Sequence, residues 1–206
     1  MPQGHPIYSR LYRAMGWFGD RAGFATHRQR LLAHAEGTVV EIGAGTGLNF
    51  RHYSAGLEVV ATEPDPHMLK AARRATHRAM ARLTLRQALA ASLPLPDASA
   101  DTVVSTLVLC SVPDQSAVLA EVKRVLRPGG KLLLLEHVRA ADPALARQQD
   151  RREHTQVRFA GGCHPNRDTL GALVAAGFDT EAVDQVALPG MSITRPGISG
   201  VARKPV

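Results

Sequence analysis

Residues 39–50 read Val-Val-Glu-Ile-Gly-Ala-Gly-Thr-Gly-Leu-Asn-Phe, a short apolar run that breaks into glycine at positions 43, 45 and 47. The β-branched Val39, Val40 and Ile42 suit a buried strand. Glycine at every second position suits a turn that needs positive φ, or one where a ligand approaches the main chain closely. Such a turn directly after a strand, early in an α/β chain, usually marks a nucleotide-containing ligand.

The spacing refines the ligand. A dinucleotide site reads G-x-G-x-x-G and seats a pyrophosphate on the following helix N-terminus. Here the pattern is Glu41-x-Gly43-x-Gly45-x-Gly47. A carboxylate two residues before the first glycine repels a pyrophosphate and can accept a hydrogen bond from an ammonium group. A cationic, nucleoside-bearing ligand fits better, and S-adenosylmethionine is the common one. The next apolar run ends Val59-Val60-Ala61-Thr62-Glu63. An acid there, about 20 residues beyond the glycines, can accept both ribose hydroxyls. Its bland alternative is a charge at the N-terminus of the following helix. Pro64 turns the chain, and Asp65 suits a helix cap.

Outward from the loop, strands and helices alternate. Strands are expected at 38–42, 58–63, 83–88, 100–107, 131–136, 178–187 and 198–202, with helices at 48–53, 66–80, 116–126 and 167–176. Pro128-Gly129-Gly130 stops the third of these helices with a tight turn, and Gly177 closes the last. Residues 137–165 read as a polar stretch without assigned structure. Residues 7–35 carry Ile7, Leu11, Met15, Phe18, Phe24, Leu31 and Leu32 among Arg and His, and read as helical segments broken near Gly16, Gly19 and Gly23. The expected fold is α/β: a doubly wound, seven-stranded, mostly parallel, Rossmann-like sheet with ligands at the carboxyl ends of its strands. An N-terminal helical lid over 1–35, around Tyr8, Tyr12 and Trp17, precedes the 37–206 core, all within one domain spanning 1–206. Packing on the sheet edge is the alternative for that segment.

The 206-residue chain is long enough for one sizeable core. It has no apolar run of the ~20 residues a membrane helix needs and no secretory h-region, so a cytoplasmic protein without stable membrane insertion is expected. Cys110 and Cys163 form no C-x-x-C pair, and Cys163 and His164 lack further ligands at metal spacing, so two free thiols and no metal are expected. The formal charge is +7. It is scattered and Arg-rich with only 4% aromatics, which argues against a nucleic-acid partner and for a small-molecule acceptor.

Glu41-x-Gly43-x-Gly45-x-Gly47, Glu63 and Arg124-Val-Leu-Arg-Pro-Gly-Gly130, in that order, resemble the class I S-adenosylmethionine-dependent methyltransferases. The resemblance implies cofactor contacts from Glu41, Gly43, Ala44, Gly45, Gly47, Asn49, Glu63, Pro64, Thr106 and Leu107. Members of this class often carry an acid after the third strand that binds the adenine amino group. The corresponding stretch, 87–94, has none before Leu93-Pro94, so adenine would be held by backbone groups of Ala90 or Ala91 and by apolar packing. Further stretches, Thr106–Val112, Leu135–Arg139, Gly161–His164 with Arg167–Thr169, and Arg195–Gly200, together with Asn49 and Tyr53, resemble the alkyl-thiol (methyltransferase-like-seven) family. That resemblance implies methyl transfer to a small thiol or sulfide. O-, N- or C-methylation of a phenol, quinone or lipid headgroup remains open beside it, as does a cofactor-binding protein without turnover. His137, His164 and Asp150 are the candidate catalytic groups, each with a structural hydrogen-bonding role as its alternative. Phe159 and Trp17 are candidate pocket walls or core residues.

Overall fold

In the computed structural model, which describes residue 16 and residues 18–206, seven strands are assigned: β1 (Thr38–Ile42), β2 (Glu58–Thr62), β3 (Arg82–Arg86), β4 (Ala100–Thr106), β5 (Leu126–His137), β6 (Asp179–Ala187) and β7 (Pro196–Arg203). They form one sheet in the order β3-β2-β1-β4-β5-β7-β6. β1 to β5 run parallel, and β7 inserts antiparallel between β5 and β6. The chain order turns back at β1, beside β4, which opens the crevice of a doubly wound sheet at the carboxyl ends of those two strands.

Period-two alternation assigns side chains to two apolar layers. Val40, Ile42, Val103, Leu132 and Leu134 face α3 (Gln115–Val125) and α5 (Thr169–Ala175) through Val118, Leu119, Val122, Val125 and Leu173. Val39, Val59, Val104, Leu133 and Leu135 face the other way, against Leu31 and Leu32 of α1 (Ala25–Leu32), Phe50, Tyr53, and Ala72 of α2 (Pro66–Ala75). Leu132 to Leu135 are all fully buried, consistent with a central strand covered on both faces. Asp65 caps α2 by accepting from His67 N and Met68 N, and Asp114 does the same for α3.

The architecture matches the expectation, with three local corrections. After the glycine loop there is no helix over 48–53, only a 3₁₀ turn at Phe50–His52. Pro128-Gly129-Gly130 makes its turn as a bulge inside β5 rather than ahead of the strand: Leu126 pairs with Ala100 and Lys131 already with Thr102, while Gly129 (φ 75°) donates to Lys204 O and Lys204 to Gly130 O. The polar stretch is largely α4 (Pro143–Phe159), capped by Asp142, with only Ala146 and Gln149 buried. Tyr8, Tyr12 and Trp17 lie outside the described residues; the described end of that segment is a π turn, Asp20–Phe24, leading into α1. Among the described residues no helix is long and apolar enough to cross a membrane.

Candidate cofactor and acceptor site

The loop after β1 takes its shape from its glycines. Gly43, Gly45 and Gly47 sit at φ 58°, 56° and 80°, left-handed values that a side chain resists. A Cβ on Gly43 would also meet Val108 at 2.7 Å. Ala44 N donates to Thr62 O, and Gly47 N to Ala44 O, so the loop folds over the carboxyl ends of β1 and β2.

Glu63 stands where a ribose acid is expected. Its two oxygens accept from Gly45 N (2.8 Å) and Asp65 N (2.9 Å). Burial pushes its carboxyl above the ordinary range, and these two hydrogen bonds oppose the rise. An ionised carboxylate offers about four lone-pair directions, so two stay free for hydroxyl donors. Pro64 follows, its carbonyl accepting from Gln87. Leu89 and Ser92 bridge to each other, which places Ala90 and Ala91 at the tip of a turn following β3. Thr46 adds a buried hydroxyl with no protein partner. A primed acid, glycine backbone approachable at the loop and an unsatisfied hydroxyl fit a nucleoside-bearing cofactor.

Glu41 is placed differently from expectation. Its carboxylate is buried beneath the loop, and its oxygens accept from Asn49 Nδ2 (2.9 Å) and Tyr53 OH (2.8 Å). Burial raises its pKa to about 7 against the hydrogen bonds from Tyr53 and Asn49 and the charge of Arg28. It braces the loop from behind through Asn49 and Tyr53. The brace continues: Arg28 Nη1 reaches Asn49 Oδ1 (2.7 Å) and Thr106 Oγ1 (3.1 Å), and Asn49 Nδ2 also donates to Thr106 Oγ1. Asp20 pairs with Arg28 at 3.3 Å and with Arg51 at 2.8 Å. Asp20 and Arg28 were missed in the sequence, and Tyr53 was noted there only for the family resemblance. Arg28 carried a signal, because Leu31 and Leu32 at i+3 and i+4 place it on the buried face of α1.

Across the crevice, Leu107 directly follows β4 at φ 60° and donates its N–H to Leu135 O. A branched residue held in that region is strained, and such strain collects at functional turns. The fully buried Glu136 fixes the segment that follows, accepting from Ser105 Oγ, Val108 N and Cys110 N.

The three catalytic candidates fall into separate settings. His137 ends β5 half-buried, its ring edge-on to Phe24 at 6.5 Å and its Nδ1 3.4 Å from Cys163 Sγ and 3.9 Å from Cys110 Sγ. The two sulfurs are 3.7 Å apart, Cys163 donating to Cys110. That hydrogen bond, then burial, holds the Cys110 thiol well above its ordinary range. These donors lie 26 and 53 residues apart and meet only through the fold, so no spacing along the chain discloses them as potential metal ligands. His164 Nδ1 pairs with Glu153 at 2.7 Å, while its backbone N–H donates to Cys110 O. Asp150 is turned to Arg139, with bonds of 2.7 and 3.0 Å, and to Asn166. Those partners hold its carboxyl down at about 2 and join α4 to the segment after β5. Phe159 is exposed at the end of α4, under Arg158, so it is not a core residue.

Residues 40–134, from β1 through β5, match the family described as "Methyltransferase domain". The rat thiol S-methyltransferase TMT1B is 38% identical over 147 residues, 69% of the chain and 60% of the rat protein. The human thiol S-methyltransferase TMT1A is 33% identical over 185 residues, 81% of the chain and 70% of the human protein. The chain thus spans about 60–70% of the length of these relatives. A solved S-adenosylmethionine-dependent methyltransferase from Thermotoga maritima superposes with a TM-score of 0.72 at 22% identity, over 96% of this chain and 98% of that one.

Proposed function

This chain belongs to the class I S-adenosylmethionine-dependent methyltransferases, and from that premise we propose that it moves a methyl group from S-adenosylmethionine to a small thiol or sulfide. The observation that carries the acceptor is the likeness to thiol S-methyltransferases at 33–38% identity, which in TMT1A extends past the shared methyltransferase domain to 81% of the chain.

When bound, the cofactor supplies a methyl already activated on a sulfonium. What is left to the protein is alignment and exclusion of water, worth several orders of magnitude when reacting atoms are held in line. Glu63 takes the ribose hydroxyls. Gly43, Ala44, Gly45 and Gly47 present backbone to the cofactor's polar end, with Asn49 and Thr106 behind them on the Glu41–Arg28 brace. Pro64 and the Ala90-Ala91 turn flank the adenine, and Leu107 closes the floor. The acceptor enters at the carboxyl ends of β4 and β5, beside His137. A thiol of pKa about 8.5 needs only modest help to present its thiolate, so no strong base is required. His164, tied to Glu153, shapes the rim. The whole of 1–206 acts as one domain with its N-terminal segment as a lid, and its partner is a small molecule rather than nucleic acid.

The test is an acceptor panel of sulfide, alkyl thiols, catechols and quinones, scored by release of S-adenosylhomocysteine. Turnover with the thiols is expected. Turnover with phenols or quinones but not thiols would overturn the acceptor, and cofactor binding with no turnover on any acceptor would leave a binding protein.

A further inference from the structure

We propose that Cys110, His137 and Cys163 form a binding site for a divalent ion of the zinc class. The donors lie on three separate pieces of chain: the segment after β4, the last residue of β5, and the segment after α4. Their spacing carries the argument. A tetrahedral ion with bonds of about 2.3 Å to sulfur and 2.0–2.1 Å to nitrogen sets two sulfurs about 3.8 Å apart and sulfur and nitrogen about 3.6 Å apart. The sulfurs here are 3.7 Å apart, and Nδ1 of His137 is 3.4 Å from one and 3.9 Å from the other. All three donor atoms thus already stand at the corners of such a polyhedron.

The backbone around them is fixed, so little reorganisation opposes binding. Glu136 accepts the N–H of Cys110, and His164 donates its N–H to the carbonyl of the same residue, pinning the two cysteine segments together. Gly161 and Gly162, at φ 67° and 85°, end α4 and aim Cys163 inward. Two sulfurs and one imidazole favour a borderline-soft ion over magnesium or calcium, which prefer oxygen. As each metal–sulfur bond forms, its thiol releases a proton to solvent; the imidazole binds through its Nδ1 lone pair, and no electrons change hands. Three protein donors leave the fourth tetrahedral position free, the pattern of zinc sites that act on a bound molecule. The site stands whether or not the acceptor is a thiol.

The test uses the full chain, reduced with a phosphine and stripped with a chelator, then titrated with cobalt(II). One cobalt per chain is expected, with a thiolate-to-cobalt charge-transfer band that zinc abolishes, and with both cysteines then protected from alkylation. Cys163→Ser should lose about half of that band and weaken binding at least about tenfold, since even outer partners of metal ligands are worth that much. His137→Gln should weaken binding while keeping the band; at a half-buried position it carries the test if the cysteine variant does not fold. Cobalt uptake without the band, equal affinity in either folded variant, or a Cys110–Cys163 disulfide in place of ion uptake once the reductant is withdrawn, would each overturn the site.

Discussion

Two glutamates, each within two residues of a loop glycine or hydrogen-bonded to one, have been given opposite tasks by burial. Each accepts one hydrogen bond on each oxygen, Glu63 from the backbone of Gly45 and Asp65 and Glu41 from the side chains of Asn49 and Tyr53, but Glu41 is the more deeply buried, 1% exposed against 7%. The consequence for Glu41 has a definite sign. Its pKa rises from 4.5 to about 7, so between those values the folded chain holds a proton that the unfolded chain has released. Stability contributed by this group is full below pH 4.5 and falls as pH rises towards 7. At about 1.4 kcal/mol per unit, the loss is of the order of 3 kcal/mol. Glu41→Gln keeps the shape and can still bond Asn49 and Tyr53 without ionising. Urea unfolding at pH 5, 6, 7 and 8 should therefore show a shallower decline for the variant than for the wild type; parallel curves would refute the raised pKa. Glu63→Gln removes the charge that strengthens bonds from ribose hydroxyls. Charge-assisted bonds are worth about 1.5–3 kcal/mol, so calorimetry should read a ten- to hundredfold weaker Kd for S-adenosylmethionine. Unchanged affinity would take Glu63 out of the ribose role.

At the scale of elements, the strands and their loops were legible because their signal is local. Val39 to Ile42 followed by spaced glycines, and Val59 to Glu63 before Pro64, each state an apolar run and its stop within a few residues. Helix α4 was not legible, since Arg147, Asp150, Arg151, Arg152 and Glu153 leave no apolar stripe to read. Its anchor is polar. Gln149, fully buried, accepts from Ala140 N and directs its amide at the carbonyls of Val138, Pro165 and Ile193. One side chain thus joins the segment after β5 to the approach to α5 and the turn before β7. Gln149→Leu fills similar space but leaves the N–H of Ala140 and several carbonyls unpaired. Each orphaned buried group costs about 1–3 kcal/mol, so a loss of at least about 3 kcal/mol in chemical denaturation is expected. A loss under 1 kcal/mol would mean that water replaces the amide. The site divides along the same line as the fold. Its cofactor half sits within single loops and could be read, whereas Cys110, His137 and Cys163 meet only once β4, β5 and α4 are assembled.

Across the whole molecule, the polar brace joins the N-terminal helix to the cofactor side of the sheet. Arg28 on α1 reaches Asn49 beyond the glycine loop and Thr106 at the end of β4, while Asp20 ties Arg28 to Arg51. A cofactor that orders the loop must therefore order α1 as well, because the same guanidinium serves both. Ligand at a hundred times its Kd adds about 2.7 kcal/mol to the folded state. For a chain of 206 residues, each kcal/mol moves Tm by about 2–4 °C, so S-adenosylmethionine should raise it by about 5–10 °C. Hydrogen–deuterium exchange under the same conditions should show added protection over residues 20–32 as well as over the loop at 43–47. Arg28→Met cuts the connection without touching the glycines or Glu63. In that variant the protection gained at 43–47 should persist while the gain at 20–32 disappears. If wild-type residues 20–32 gain nothing although Tm rises, the N-terminal segment packs against the sheet independently of the cofactor and is not its lid.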